Sequence, residues 1–209
     1  NKAMAKYMFE VTVSNSVNNQ IQNVAGKFGT GTGSGFTAAV CNAGTLCVRN
    51  GNLPNEGYED FGIVNGNAWY FNATTANVIP AGRTGDHTGI FAFNNYDVNK
   101  ATDAAGNKWN LGANTLGISL PAGMRGDFTE LIVGEQYTWG ADNFSAAVST
   151  NKFFSVGANG QWVPASAAPT TSGVVYGELV RTKNVNEGST FWGTGYVLEI
   201  KRAAVSAGA

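Results

Sequence analysis

The chain has one histidine and two cysteines in 209 residues, which limits the chemistry open to it from the start. His87 lies in Arg83-Thr84-Gly85-Asp86-His87-Thr88-Gly89, where Asp86 stands next to the imidazole as an orienting carboxylate would. No partner nucleophile is indicated, and the surrounding Gly, Asp and Thr favour a turn. Cys41 and Cys47 bracket five residues (NAGTL). They are either two small, partly buried thiols, the preferred reading, or a disulfide across a hairpin. Half of a zinc site would need two further Cys or His ligands, and only His87 remains. A catalytic cysteine would depend on that same histidine as its base.

The carboxylates offer pairs of the kind that glycosidases use, Glu59-Asp60 and Asp127/Glu130. With 14 Asp and Glu in the chain, such pairs also arise by chance. Residues 103–107 (DAAGN) give at best a fragment of a calcium loop. Residues 29–35 (GTGTGSG) look like a phosphate loop, but no Gly-Lys-Ser/Thr follows and no βαβ unit surrounds them, so they read as a flexible connector. Trp69, Trp109, Trp139, Trp162 and Trp192 suit either a sugar-stacking platform or, more commonly, a β core or subunit contact. Asn72-Ala73-Thr74 and Asn143-Phe144-Ser145 match the glycosylation sequon, a frequent match in a chain rich in Asn. None of this demands a metal or an organic cofactor, and none is expected.

Charge narrows the partners. Thirteen Lys and Arg against 14 Asp and Glu leave a formal charge of −1, a poor basis for gripping a phosphate backbone or an anionic membrane. No apolar run reaches the roughly 18–20 residues of a membrane span. The first residues show no unbroken apolar signal core of about 7–15 residues.

The elements that would position these groups read as strands. Residues 7–13 alternate, with Tyr7, Phe9, Val11 and Val13 on one face and Met8, Glu10 and Thr12 on the other. Tyr196, Leu198 and Ile200 alternate with Val197 and Glu199 near the end. Further strands are expected at 61–64, 68–71, 90–93, 116–120, 131–133, 153–156 and 174–181, bounded by Gly, Asn, Asp and Pro. Asn-Gly pairs at 50–51, 65–66 and 159–160 tolerate positive φ and mark tight turns. Helical spacing is confined to Val17, Ile21 and Val24, weakened by the Asn around them. The class is all-β, sandwich or barrel.

A weak repeat suggests organisation. Phe36-Thr37-Ala38-Ala39-Val40 matches Phe144-Ser145-Ala146-Ala147-Val148, both reading as strands. A short strand, an Asn-Gly turn, an apolar residue and a proline follow each copy. The readings are chance in an Ala/Gly/Asn-rich chain, or two similar β modules. The second gives an N-terminal arm at 1–27, modules at 28–100 and 128–202, a polar linker region at 101–127 and a flexible tail at 203–209.

Residues 144–162 (FSAAVSTNKFFSVGANGQW), with 172–181 (SGVVYGELVR) and 195–201 (GYVLEIK) as closing strands, resemble the decoration or cement proteins of tailed-bacteriophage heads. Residues 36–53 are similar to the same hairpin in a first copy. The resemblance spans about half the chain and includes no catalytic motif; residues 93–126 depart from it. It implies a non-enzymatic virion protein on the capsid exterior, assembled in the host cytoplasm. Its partner would be the major capsid protein, with self-association into a trimer or dimer. The open alternation of Tyr7, Phe9, Val11 and Val13 is the candidate partner-binding strand, suited to addition onto a neighbour's sheet. A secreted carbohydrate-binding or adhesive module, and another virion part such as a head fibre or tail component, stand as alternatives.

Overall fold

The structure, a computed structural model, describes residues 6–13, 23–29, 40–49, 59–64, 87–96, 116–171 and 173–203. These form thirteen strands and two short 3-10 turns, with no α-helix among the described residues, so the chain is all-β. In order the strands are β1 Phe9–Val13, β2 Asn23–Phe28, β3 Val40–Asn42, β4 Leu46–Arg49, β5 Glu59–Ile63, β6 His87–Tyr96 and β7 Ser119–Pro121. There follow β8 Arg125–Ile132, β9 Gln136–Trp139, β10 Phe153–Val156, β11 Trp162–Ala165, β12 Val175–Glu187 and β13 Thr190–Arg202. The expected strands at 68–71 and 36–39 lie outside the described residues, as do the Asn-Gly pairs at 50–51 and 65–66.

Five strands close a barrel in the order β2-β5-β4-β6-β8, with β2 and β5 parallel and the other pairs antiparallel. Phe28, Phe61, Phe91, Phe93 and Phe128 fill it beside Cys41, Cys47 and Leu120. Phe61 stacks on Phe128 with ring centroids 4.0 Å apart. Burial of each such ring contributes about 2 kcal/mol before its ordering entropy is charged. A second, six-stranded sheet runs β1-β9-β13-β12-β10-β11, antiparallel throughout, and β3 pairs with β7 in a separate ribbon.

The two assemblies share walls. Ile90 and Ala92 on β6 belong to the core under the sheet, whereas Phe91 and Phe93 point into the barrel. Leu46 and Cys47 on β4 divide in the same way, as do Leu131 and Phe128 on β8. A strand buried on both faces reads as a continuous apolar run rather than an alternation, which is why Ile90-Phe91-Ala92-Phe93 is apolar throughout.

Some local expectations are corrected. Phe144-Ser145-Ala146-Ala147-Val148 is irregular rather than a strand: it makes one isolated parallel bridge, Phe144 to Trp162. Phe144 and Val148 are core residues, but Ser145, Ala146 and Ala147 between them are exposed. Three small side chains bury too little apolar surface to hold a strand in place. Val24, the last residue of the helically spaced set, lies in β2; the rest of that set is outside the described residues. Leu116 and Gly117 form a turn (Gly117 φ +73), so β7 starts only at Ser119. At 159–160 the expected positive φ occurs at both residues, Asn159 at 62° and Gly160 at 68°, reversing the chain between β10 and β11.

Strands β12 and β13 form a 13-residue-a-side hairpin turning at Gly188 (φ +60). Register shifts at Leu179/Arg181 and Val185/Asn186 make Val180 and Trp192 bulge residues. Bulges deepen twist, and Lys183 Nζ on β12 reaches Glu10 Oε2 on β1 at 2.6 Å across the intervening β9 and β13. A Cβ at Gly195 would lie 2.7 Å from Thr138 Cγ2. Thr138 is fully buried there.

Candidate functional site

The expected partner-binding strand lies at an edge of the six-stranded sheet, paired only with β9 among the described residues. Its four apolar residues do not share one environment. Phe9 is 4% exposed and belongs to the core, its ring stacked on Tyr137 at 5.6 Å and tilted against Trp139 at 5.5 Å. It anchors the strand and is withdrawn from any docking face. Val11 and Val13, at 37% and 40% exposure, are the part of the set that meets solvent. A register shift at Thr12 separates them. Tyr7 precedes the strand and is half-buried; burial first, and the Asp142 carboxylate second, raise its phenol above its ordinary value. On the other face Glu10 pairs with Lys183 Nζ at 2.6 Å, and Thr12 Oγ1 lies 2.6 Å from Thr138 Oγ1.

Asn143 holds this segment to the rest of the protein. Its Oδ1 accepts the Met8 and Gly140 N–H groups, each at 3.1 Å, and its Nδ2 donates to the Ala43 carbonyl at 2.8 Å. The Trp139 indole N–H donates to the Gly44 carbonyl at 3.0 Å. Gly44 is required there: its φ is +77°, and a Cβ would come within 2.7 Å of both Met8 O and Trp139 Cδ1. Asn143 is 1% exposed, so this sequon is occupied by internal bonding and closed to a glycan. Asn72 is outside the described residues. Sequence reasoning found no role for Asn143 beyond the sequon.

Beside this joint lies an open cavity of about 260 Å³, bordered by Tyr7, Asn42, Thr45, Asn143, Asn159 and Gln161 among others. None of the described residues lining it is charged. Such a lining hydrogen-bonds neutral polar groups and brings no positive charge to a phosphate or carboxylate.

His87 is corrected from a turn residue to the first residue of β6, 4% exposed. Its Nδ1 lies 2.7 Å from Glu130 Oε2, and Glu130 Oε1 accepts the Gly89 N–H at 3.2 Å. The local Gly and Asp signalled a turn, but pairing with a carboxylate 43 residues away decides the environment. Asp86 lies outside the described residues. Glu130 partners His87 here; the Glu59 and Asp60 side chains lie outside what is described. Nearby, Glu135 is 1% exposed and accepts the Tyr137 hydroxyl at 2.7 Å, while that hydroxyl accepts the Ile132 N–H at 3.0 Å. Burial, then Glu135, pushes the Tyr137 phenol well above its ordinary value. The His87 and Glu130 side chains are 6% and 9% exposed, so the pair is withdrawn from solvent and reads as internal bracing.

Cys41 and Cys47 are free thiols, both fully buried rather than partly so. Among the described residues no group of three or more His, Cys, Asp and Glu could hold a metal ion, and no helix is long and apolar enough to cross a membrane. Trp139 and Trp162 are fully buried and Trp192 is 6% exposed beneath Lys6, so these three form no stacking platform. Trp69 and Trp109 lie outside the described residues. No family model, curated protein or solved structure matches the chain.

Proposed function

We propose that the chain is a non-enzymatic virion protein that binds the outer surface of a tailed-phage capsid, with the major capsid protein as partner, and stabilises the shell. The observation that carries this reading is the asymmetry of the six-stranded sheet's two edges. The β11 edge carries Pro164, which has no N–H to offer an incoming strand. The β1 edge carries no proline or lysine and presents Val11 and Val13 beside a backbone edge that no strand among the described residues pairs. Phe191, 58% exposed near the hairpin tip, and Val180, 45% exposed at its bulge, add apolar contact points. Many weak contacts of this kind, repeated over a symmetric shell, sum to a large barrier against shell rupture. Self-association into a trimer or dimer belongs to the same reading.

The test is rebinding to capsids stripped of their accessory proteins. Wild type should saturate the shell at a symmetric copy number and raise its resistance to heat. Val11→Lys should fold normally and rebind at least tenfold more weakly. A protein that stays in solution beside stripped shells overturns the reading. The uncharged cavity beside Tyr7 favours a second reading, a site for a neutral sugar in an adhesive module, and quenching of Tyr or Trp fluorescence by oligosaccharides would identify it.

A further inference from the structure

We infer that Cys41 and Cys47 are an oxidisable pair whose disulfide would fix the β3–β7 ribbon to the barrel wall and close the loop on which Trp139 and Asn143 are anchored. Their sulfurs are 3.7 Å apart, in contact, at the base of a single short loop. A bond requires about 2.05 Å, a closure of about 1.7 Å shared between two side chains. The pair also joins different elements. Cys41 lies in β3, opposite Leu120 of β7, and Cys47 lies in β4, opposite Ile63 of β5 and Phe91 of β6. A bridge would therefore fix the β3–β7 ribbon to the barrel wall.

The loop that the bridge would close carries the joint's acceptors. The Ala43 carbonyl takes the Asn143 amide and the Gly44 carbonyl takes the Trp139 indole, while the Gly44 N–H donates to Phe93 O at 2.8 Å. Fixing residues 41 and 47 to each other removes freedom from this loop in the unfolded chain and leaves its native contacts in place.

The reaction balances with a small disulfide, such as oxidised glutathione, as the oxidant. One protein thiolate attacks it, forming a mixed disulfide and releasing one glutathione thiolate. The second protein thiolate then attacks the protein sulfur of that mixed disulfide and releases the other. Two electrons pass from the two cysteines to the oxidant, and their two protons end on the two glutathione thiols. Both sulfurs are fully buried, so exchange in the folded protein waits on opening of the loop, whereas exchange during refolding does not.

The experiment uses the full chain in two arms, folded protein incubated with oxidised glutathione and denatured protein refolded in its presence. Each is acid-quenched, denatured, treated with N-ethylmaleimide and weighed intact. The expected product of the refolding arm has lost two hydrogens, takes up no maleimide, keeps the native near-ultraviolet circular dichroism, and melts about 5 °C higher than the reduced protein. Cys41→Ser and Cys47→Ser should each end as a mixed glutathione adduct or a free thiol, with no such rise. Two maleimide-reactive thiols after refolding under oxidant, a bridge only between chains, or an internal bridge that abolishes the native spectrum would each overturn the inference.

Discussion

The Asn143 side chain accepts the backbone N–H of Met8 at 3.1 Å across 135 residues of sequence, joining the N-terminal segment to the turn after β9. The same amide also binds Gly140 and Ala43, so one buried side chain satisfies backbone groups from three parts of the chain. Buried backbone groups left without partners cost more than the bonds are worth when made. Asn143 is thus a structural joint that holds the segment leading into the edge strand in place.

Asn143→Ala should therefore destabilise the fold by roughly 3 kcal/mol, a fall in Tm of about 6–12 °C. Asn143→Asp keeps an acceptor for Met8 and Gly140 but sets a carboxylate against the Ala43 carbonyl, so it should not restore stability at neutral pH. Thermal melts followed by circular dichroism check both. A loss below about 0.5 kcal/mol for the alanine variant would show that the joint lies elsewhere.

The His87–Glu130 pair makes a different prediction. Removing one member of a buried pair costs more than replacing both. His87→Leu should lose roughly 2–4 kcal/mol, and the double variant His87→Leu/Glu130→Leu should be less destabilised than the sum of the two single variants by 1 kcal/mol or more. A denaturant-unfolding double-mutant cycle reads this directly. Additive single effects would mean that the 2.7 Å contact carries no coupling.

How far the sequence could lead is clear from which residues misled. β10 was readable to its ends, because Phe153, Phe154 and Val156 are bulky and the run is bounded by Lys152 and Gly157. β9 was missed: Gln136–Trp139 is four residues long and its Thr138 is polar, although the folded hairpin buries it completely. β12 runs six residues past the expected end at 181, because its distal Thr, Lys and Asn residues are sustained by pairing with β13 rather than by apolar content. The joint was beyond reach for a related reason. Nothing near Asn143 announces that Met8 and Ala43, 135 and 100 residues away, need its amide. The candidate edge strand was legible as a strand, but alternation alone cannot separate Phe9, which is core, from Val11 and Val13, which are surface.

Tyr137 links packing to alkaline stability. Tyr137→Phe keeps the ring beside Phe9 but removes the hydroxyl from Glu135 and Ile132, at a cost of roughly 1–3 kcal/mol near pH 7. The phenol's folded pKa is raised, so its contribution is whole below the unfolded value near 10 and is lost as pH rises above it. The gap between wild type and variant should narrow above about pH 10, measured by urea unfolding across the alkaline range. A gap that widens there would contradict the assignment.

Glu178 makes the opposite prediction at acid pH. Its carboxylate on β12 meets Lys152 Nζ at 2.7 Å and Lys201 Nζ at 2.5 Å, and these contacts, Lys152 first, hold its pKa below the ordinary carboxylate value. The Lys152 side chain is 62% exposed, so solvent and salt screen much of the attraction. Glu178→Gln should then cost only about 0.5–1 kcal/mol at pH 7. A depressed folded pKa gives stability that is complete above the unfolded value near 4.3 and is lost as pH falls through the folded one. Wild type and variant should therefore converge in acid, and molar salt at neutral pH should also shrink their difference. Paired melts at pH 7 and pH 3, with and without salt, measure both effects; a difference that persists unchanged at pH 3 would mean that the side chain stabilises by packing and not by charge.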